Sequence, residues 1–340
     1  MKKDLLLTVL AFITVLGMHA QDVSYTVKND DPYDIRNLCI SLDPFYADAW
    51  GTNANLGFGA RADLYLWKLM SVSADFRRAY LDMNAREHVD GSLPKPLEEL
   101  KKQLYLEAGA QLTFFERSKE RDLKVVLSSS SSSSGRYTTT HTRYIMVPGT
   151  LRKVKQLRAG LISSRTAIDI QDAGEDPDNT FSAKQVGDTA SFKFGPYGKS
   201  VDGSPIYGGY TMMNLYMVYG GISAKRITNL ILDTDYGRKG NEFIYDFYLD
   251  VLYAPIIKFK NVYTVGGKEW EVSSSDVKNL GWRFGVSARR SVRSFMSYRM
   301  ELGSRPGFVG GQGVLATNLY LMITFGWSIP IKIKALNPKG

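Results

Sequence analysis

Apolar and polar residues alternate along much of this chain, and a period of two predicts β-strands with one apolar and one polar face. Near the C-terminus Leu319, Leu321, Ile323, Phe325, Trp327 and Ile329 fall on one face, and Tyr320, Met322, Thr324, Gly326 and Ser328 on the other. Leu56, Phe58, Ala60, Ala62, Leu64 and Leu66 alternate in the same way with Gly57, Gly59, Arg61, Asp63 and Tyr65. The pattern returns in 70–77, 104–114, 157–161, 245–253, 282–289 and 296–302, and 36–50 and 210–225 also read as strands. Residues 121–128 and 136–147 carry it more weakly, being rich in Ser and Thr. Pro44 cannot donate to a ladder, which predicts a bulge or an early strand end there.

These segments number about twelve, and several exceed the five or six residues usual in soluble strands. They predict an all-β fold, a transmembrane antiparallel up-and-down β-barrel of about twelve strands occupying residues 36–330. A lipid-spanning strand needs about 9–11 residues, and closure satisfies the backbone groups that lipid cannot. The competing architecture is a soluble two-layer sandwich. Strand length opposes it, as do the glycines at polar-face positions (Gly57, Gly59, Gly109, Gly160, Gly285, Gly326), which suit a crowded interior. Periplasmic turns are expected near 67–69, 116–121, 148–154, 226–241 and 290–293, and external loops at 51–54, 82–102, 129–135, 167–209, 255–279 and 303–314. Most long links fall on the external side, the short first loop and the rather long 226–241 turn being the exceptions. Trp67, Trp282 and Trp327 lie near strand ends, where aromatic girdles belong. Residues Leu97 to Lys102 read as one helical turn within the second loop.

The ends add a destination. Lys2 and Lys3 precede an apolar run from Leu5 to Leu16, and Gly17, Met18, His19 and Ala20 lead into Gln21. This predicts a signal peptide over residues 1–20, cleaved near Ala20, and hence export to the cell outer membrane. The run is short for a spanning helix, which disfavours an N-terminal anchor. Residues 21–35 read as a short periplasmic lead-in and 331–340 as a C-terminal tail. The single Cys, Cys39, excludes an internal disulfide framework and a Cys-based zinc site. The formal charge of +9 on an exported chain points to lipopolysaccharide and anionic solutes, with outer-membrane lipid as the surrounding partner and no nucleic acid.

Candidate chemistry lies on the polar faces. They carry Arg61, Arg77, Arg158, Arg283, Arg289 and Arg299 against Asp63, Asp75, Glu107, Asp246, Asp250 and Glu301. Matched signs predict a lumen filled by a charge network. Lys124 and Arg143 on the weaker strands would tilt it basic, as in a small-solute, anion-selective channel. An enzyme is not expected. After cleavage only His88 and His141 remain, and His141 sits in Thr138-Thr139-Thr140-His141-Thr142 without a nucleophile arrangement. The acidic stretch Asp169, Asp172, Glu175, Asp176 and Asp178 lacks the ligand order of a calcium loop and reads as a solvated loop. Ser128 to Ser134 read as a flexible loop tip. No cofactor and no metal are expected.

Four features carry a family resemblance: Ala20-Gln21 at the signal cut, Val147-Pro148-Gly149 ahead of Leu157-Arg158-Ala159-Gly160, Tyr219-Gly220-Gly221-Ile222, and Asp250-Val251-Leu252-Tyr253-Ala254-Pro255. With these the chain resembles outer-membrane β-barrel proteins of Bacteroidota of unassigned activity. The resemblance implies location and fold and supplies no catalytic residues. It also implies a rival to the small-solute pore or occluded structural barrel: an accessory or scaffold subunit of an envelope secretion, motility or barrel-assembly complex.

Overall fold

In the computed structural model the described residues are 23–50, 53–66, 69–82, 103–134, 136–169, 181–187, 191–193, 210–263, 269–274, 277–308 and 318–333. They are all-β, with no helix among them. In chain order the strands are β1 (Tyr25–Asp30), β2 (Leu38–Trp50), β3 (Asn53–Leu66), β4 (Met70–Asp82), β5 (Leu104–Ser134), β6 (Tyr137–Asp169), β7 (Phe181–Gln185), β8 (Ser191–Lys193), β9 (Tyr210–Ile227) and β10 (Leu230–Thr234). They continue with β11 (Gly237–Asn241), β12 (Phe243–Phe259), β13 (Val262–Tyr263), β14 (Glu269–Ser274), β15 (Val277–Lys278), β16 (Leu280–Arg290), β17 (Phe295–Ser304), β18 (Gly307–Phe308) and β19 (Leu319–Ile331).

The chain divides into two compact units, one of residues 31–120, 150–229 and 242–340, the other of 1–30, 121–149 and 230–241. The larger holds a single antiparallel sheet that closes on itself as a ring of ten strands among the described residues, in the order β12-β16-β17-β19-β2-β3-β4-β5-β6-β9. Strand β12 joins the two ends, pairing Val251 with Trp282 on one side and with Gly220 on the other. The expected bulge near Pro44 is present, as a register shift between Asp43 and Tyr46. It has a consequence for the faces: Cys39, Ser41 and Asp43 point inward before it, and Tyr46, Asp48 and Trp50 after it, all of them buried.

Alternation sorts the ring's two surfaces. Leu112, Leu157, Leu161, Leu249, Val251, Trp282, Phe284, Met300, Leu321 and Phe325 point outward and are 39–64% exposed. Their strand neighbours Gln111, Arg158, Asp250, Arg283, Glu301 and Thr324 point inward and are buried. This inverts the usual soluble arrangement, in which polar groups cover the outside.

Twelve segments were expected, whereas the ring has ten strands, for a specific reason. The turns expected at 116–121 and 148–154 are absent. Segments 104–114 and 121–128 form one strand of 31 residues, β5, and 136–147 and 157–161 one strand of 33 residues, β6. The charged stretch Glu116 to Arg121 resembles a turn in sequence but stays extended, with most of its side chains exposed. Ring pairing of β5 with β4 runs from Leu104 to Leu112, and that of β6 with β9 from Arg152 to Asp169. Neither strand turns there, so the expected external loop at 129–135 falls where β5 ends and β6 begins. The serine run is likewise strand, since Ser128–Ser134 close β5. Ser129 and Ser133 sit beside Thr142 and Thr138, hydroxyl to hydroxyl at 3.4 and 3.1 Å.

The smaller unit contains the sheet β1-β10-β11. Residues 25–30 of the expected lead-in pair with β10, and the expected 226–241 turn holds the hairpin β10–β11. Leu123, Val125 and Val147 pack with Leu230 and Leu232 as its core. In the larger unit, loop strands form the sheet β13-β14-β7-β8 and the pair β15-β18. The signal segment, Trp67, His88, residues 97–102 and Asp172 to Asp178 lie outside the described residues.

Candidate functional site: the interior of the ring

The ring turns its polar faces inward, so charges far apart in sequence meet across a narrow space. Arg283 on β16 holds both oxygens of Glu107 on β5, at 2.6 and 2.8 Å, and donates through Nε to Asp250 on β12 at 2.7 Å. Arg158 on β6 reaches the other Asp250 oxygen at 3.1 Å. Arg77 on β4 pairs with Asp75 at 2.6 Å and with Glu301 on β17 at 3.4 Å. Arg299 on β17 also reaches Asp75 and Glu301. Nearer the Leu66–Met70 end of the ring, Asp63 pairs with Arg61 at 2.8 Å and with Arg289 at 3.7 Å, and Asp246 faces Lys225 at 3.8 Å.

All twelve charged side chains singled out from the polar faces thus lie in the interior, and each has an ion-pair partner. Several partners are four ring positions apart (β16 and β5, β4 and β17, β3 and β16), so the bridges cross the space instead of running along one wall. Arg77, Arg283 and Glu301 are each 1% exposed. Breaking such a pair from one side leaves a buried charge, which is costly.

Aromatic rings frame this network. Arg158 lies 4.1 Å from the Tyr248 ring, Arg77 4.4 Å from Tyr105 and Arg283 4.5 Å from Tyr219. Tyr105 donates to Glu107 and Tyr248 to Glu301, each at 2.6 Å. Glycines make room for these rings. A Cβ on Gly285 would land on the Tyr248 ring, and one on Gly160 or Gly109 on Tyr219.

Sequence reasoning missed Lys225, Asp48, Arg305 and the tyrosines. Arg305 donates to Asp48 at 2.6 Å, and Asp48 also accepts from Tyr46 at 3.0 Å and Gln103 at 2.8 Å. Strict alternation in 210–225 would have placed Lys225 inward with Tyr219 and Ser223. Asp48 was hidden by the bulge that shifts the face of β2, and Arg305 by its place just past the end of β17. Lys124 and Arg143, the residues expected to tilt the lumen basic, belong to the smaller unit. His141 is exposed on β6 in that unit too.

Towards the end where β6 meets β9 at Asp169–Tyr210, the interior fills mainly with apolar side chains, which surround the pair Arg305–Asp48. Met213, Leu215 and Met217 of β9, Leu252 and Ala254 of β12, Tyr46 and Trp50 of β2, and Tyr320 and Met322 of β19 form one buried cluster with Ala183, Trp270 and Val272 from the loop sheet. A groove of about 760 Å³ lies against the outward-facing Ala60, Ala62, Ala74, Leu106, Ala108 and Val218. Among the described residues no group of His, Cys, Asp and Glu is placed to hold a metal ion. No protein-family model matches the chain, and no curated protein matches it.

Proposed function

We propose that this is an exported outer-membrane β-barrel whose lumen is occluded, serving as a structural barrel or scaffold rather than an open solute pore. The observation that carries the reading is the set of ion pairs spanning the ring interior, Arg283–Glu107 and Arg77–Glu301 above all. An open channel needs wetted side chains along its axis. Here the charged side chains are buried and each has an ion-pair partner across or along the ring, although Asp63, Asp75, Arg77, Arg158, Asp246, Asp250 and Arg299 each keep a buried atom without a hydrogen bond, and the apolar cluster beyond them narrows the path further. The outward belt of Leu, Val, Phe, Met and Trp supports residence in lipid, and ring closure leaves no unpaired edge to face hydrocarbon. The N-terminal segment supports export. A second ordered unit, with its own apolar core of Leu123, Val125, Val147, Leu230 and Leu232, favours the scaffold form of this reading. Such a unit would offer an envelope partner a surface of its own.

Planar-bilayer recording on the purified protein tests the occlusion. The expected result is silence across the usual voltage range, in protein shown to be folded by heat-modifiable migration. Steady ion-selective steps from the unaltered protein would overturn it.

A further inference from the structure

Resting on the occluded-lumen reading, we propose that the interior is closed twice, by two fillings in series, one of ion pairs and one mainly of apolar side chains packed around the single pair Arg305–Asp48, each sufficient alone. Along β12, Asp246 and Asp250 belong to the charged network, whereas Leu252 and Ala254 belong to the apolar cluster. Along β9, Lys225 belongs to the first and Met213, Leu215 and Met217 to the second. The two fillings therefore succeed one another along the same strands and share Tyr105 and Tyr219 where they meet.

The apolar seal also crosses the ring. Trp50 on β2 and Met213 on β9 lie five positions apart in a ring of ten, on opposite walls. Both meet at Gly307, where a Cβ would stand 2.7 Å from Met213 Cε and 3.3 Å from Trp50 Cη2. Gly307 has φ of 130°, a backbone conformation that favours glycine. Ala183 of β7 and Trp270 and Val272 of β14 complete the plug from the loop sheet. That sheet's strands are two to six residues long. Its described side chains Ala183, Trp270 and Val272 pack into the ring's apolar cluster. These described strands form a lid over methionines whose unbranched side chains repack readily.

The charged seal is of another kind. It is made only of ring side chains, and it fails when a pair is removed, not when apolar packing is weakened. Either barrier would block ions, one by filling the space mainly with apolar side chains and the other by filling it with paired charge. Opening a path requires both to yield.

Single-channel recording on three altered proteins tests this. One weakens the lid, Trp270→Ala with Val272→Ser. One removes a bridge with both of its signs, Arg283→Ser with Glu107→Ser. The third combines them. Each is first shown to be folded by strand circular dichroism and heat-modifiable migration. Met213→Ser, on the ring wall beneath the lid, or Arg77→Ser with Glu301→Ser for the bridge, replaces any set that does not fold. Silence from each set alone and discrete steps from the combination are expected. Steps from either set alone would overturn the two-seal proposal, and so would silence from a folded combination. Steps from the unaltered protein would instead overturn the occluded-lumen reading itself.

Discussion

Arg283 concentrates the interior's energetics in one side chain. Its planar fork matches Glu107 with two hydrogen bonds and still leaves Nε for Asp250. Replacing Glu107 by Leu should therefore cost about 3–5 kcal/mol, the range for breaking a buried pair from one side. Urea titration of the refolded protein in lipid or detergent would measure it. The glycines give a second test. Gly285→Val drives a side chain into the Tyr248 ring and should destabilise by at least about 1–3 kcal/mol, the usual cost of overpacking. Gly220→Ala, where a Cβ meets only the Arg158 carbonyl at 3.9 Å, should be close to neutral. The membership of the charge network was readable from alternation, because a strand's period of two assigns each residue a face without knowledge of its neighbours. The pairings were not. Glu107 and Arg283 are 176 positions apart, and only the closed strand order brings them opposite one another. Asp48 was unreadable for a local reason, since the bulge at Pro44 moves the inward face of β2 from odd to even positions.

Among the elements, β5 and β6 depart furthest from expectation. Polar residues from Glu116 to Arg121 look like a turn because turns and solvated strands share their composition, and alternation is silent where both faces are wet. The hairpin's outer part shows this most clearly. From Ser128 to Ser134 and from Tyr137 to Thr142 every described side chain is exposed. Shortening the hairpin by removing residues 129–142 should therefore leave ring stability unchanged within about 0.5 kcal/mol, as for surface changes generally. Leu232→Ala, by contrast, empties a fully buried position in the smaller unit and should destabilise that unit by about 2–5 kcal/mol. Amide hydrogen exchange would register the loss in β1, β10 and β11 while the ring strands stay protected. The pairing of β1 with β10 was beyond reach of the sequence for the same reason as the ion pairs: a strand of six residues finds its partner some 200 positions away.

For the whole molecule the decisive feature is inversion, with apolar side chains outside and charged ones within. In water the outer wall would be an exposed apolar surface far larger than soluble proteins tolerate. In a bilayer it is the natural surface, and the same alternation that makes it also loads the interior with charge. This predicts that the protein sediments with outer membranes and needs detergent for extraction. The most direct measurement places a nitroxide label, one at a time, at outward positions 249, 251, 296, 298, 300 and 302 and at the inward position 297, in protein reconstituted into lipid vesicles. The account predicts that the six outward labels collide readily with dissolved oxygen and scarcely with a water-soluble nickel complex, with the contrast greatest at mid-strand. It predicts that the label at 297 collides with neither. Outward labels open to the nickel complex along the whole length of β12 and β17 would contradict it.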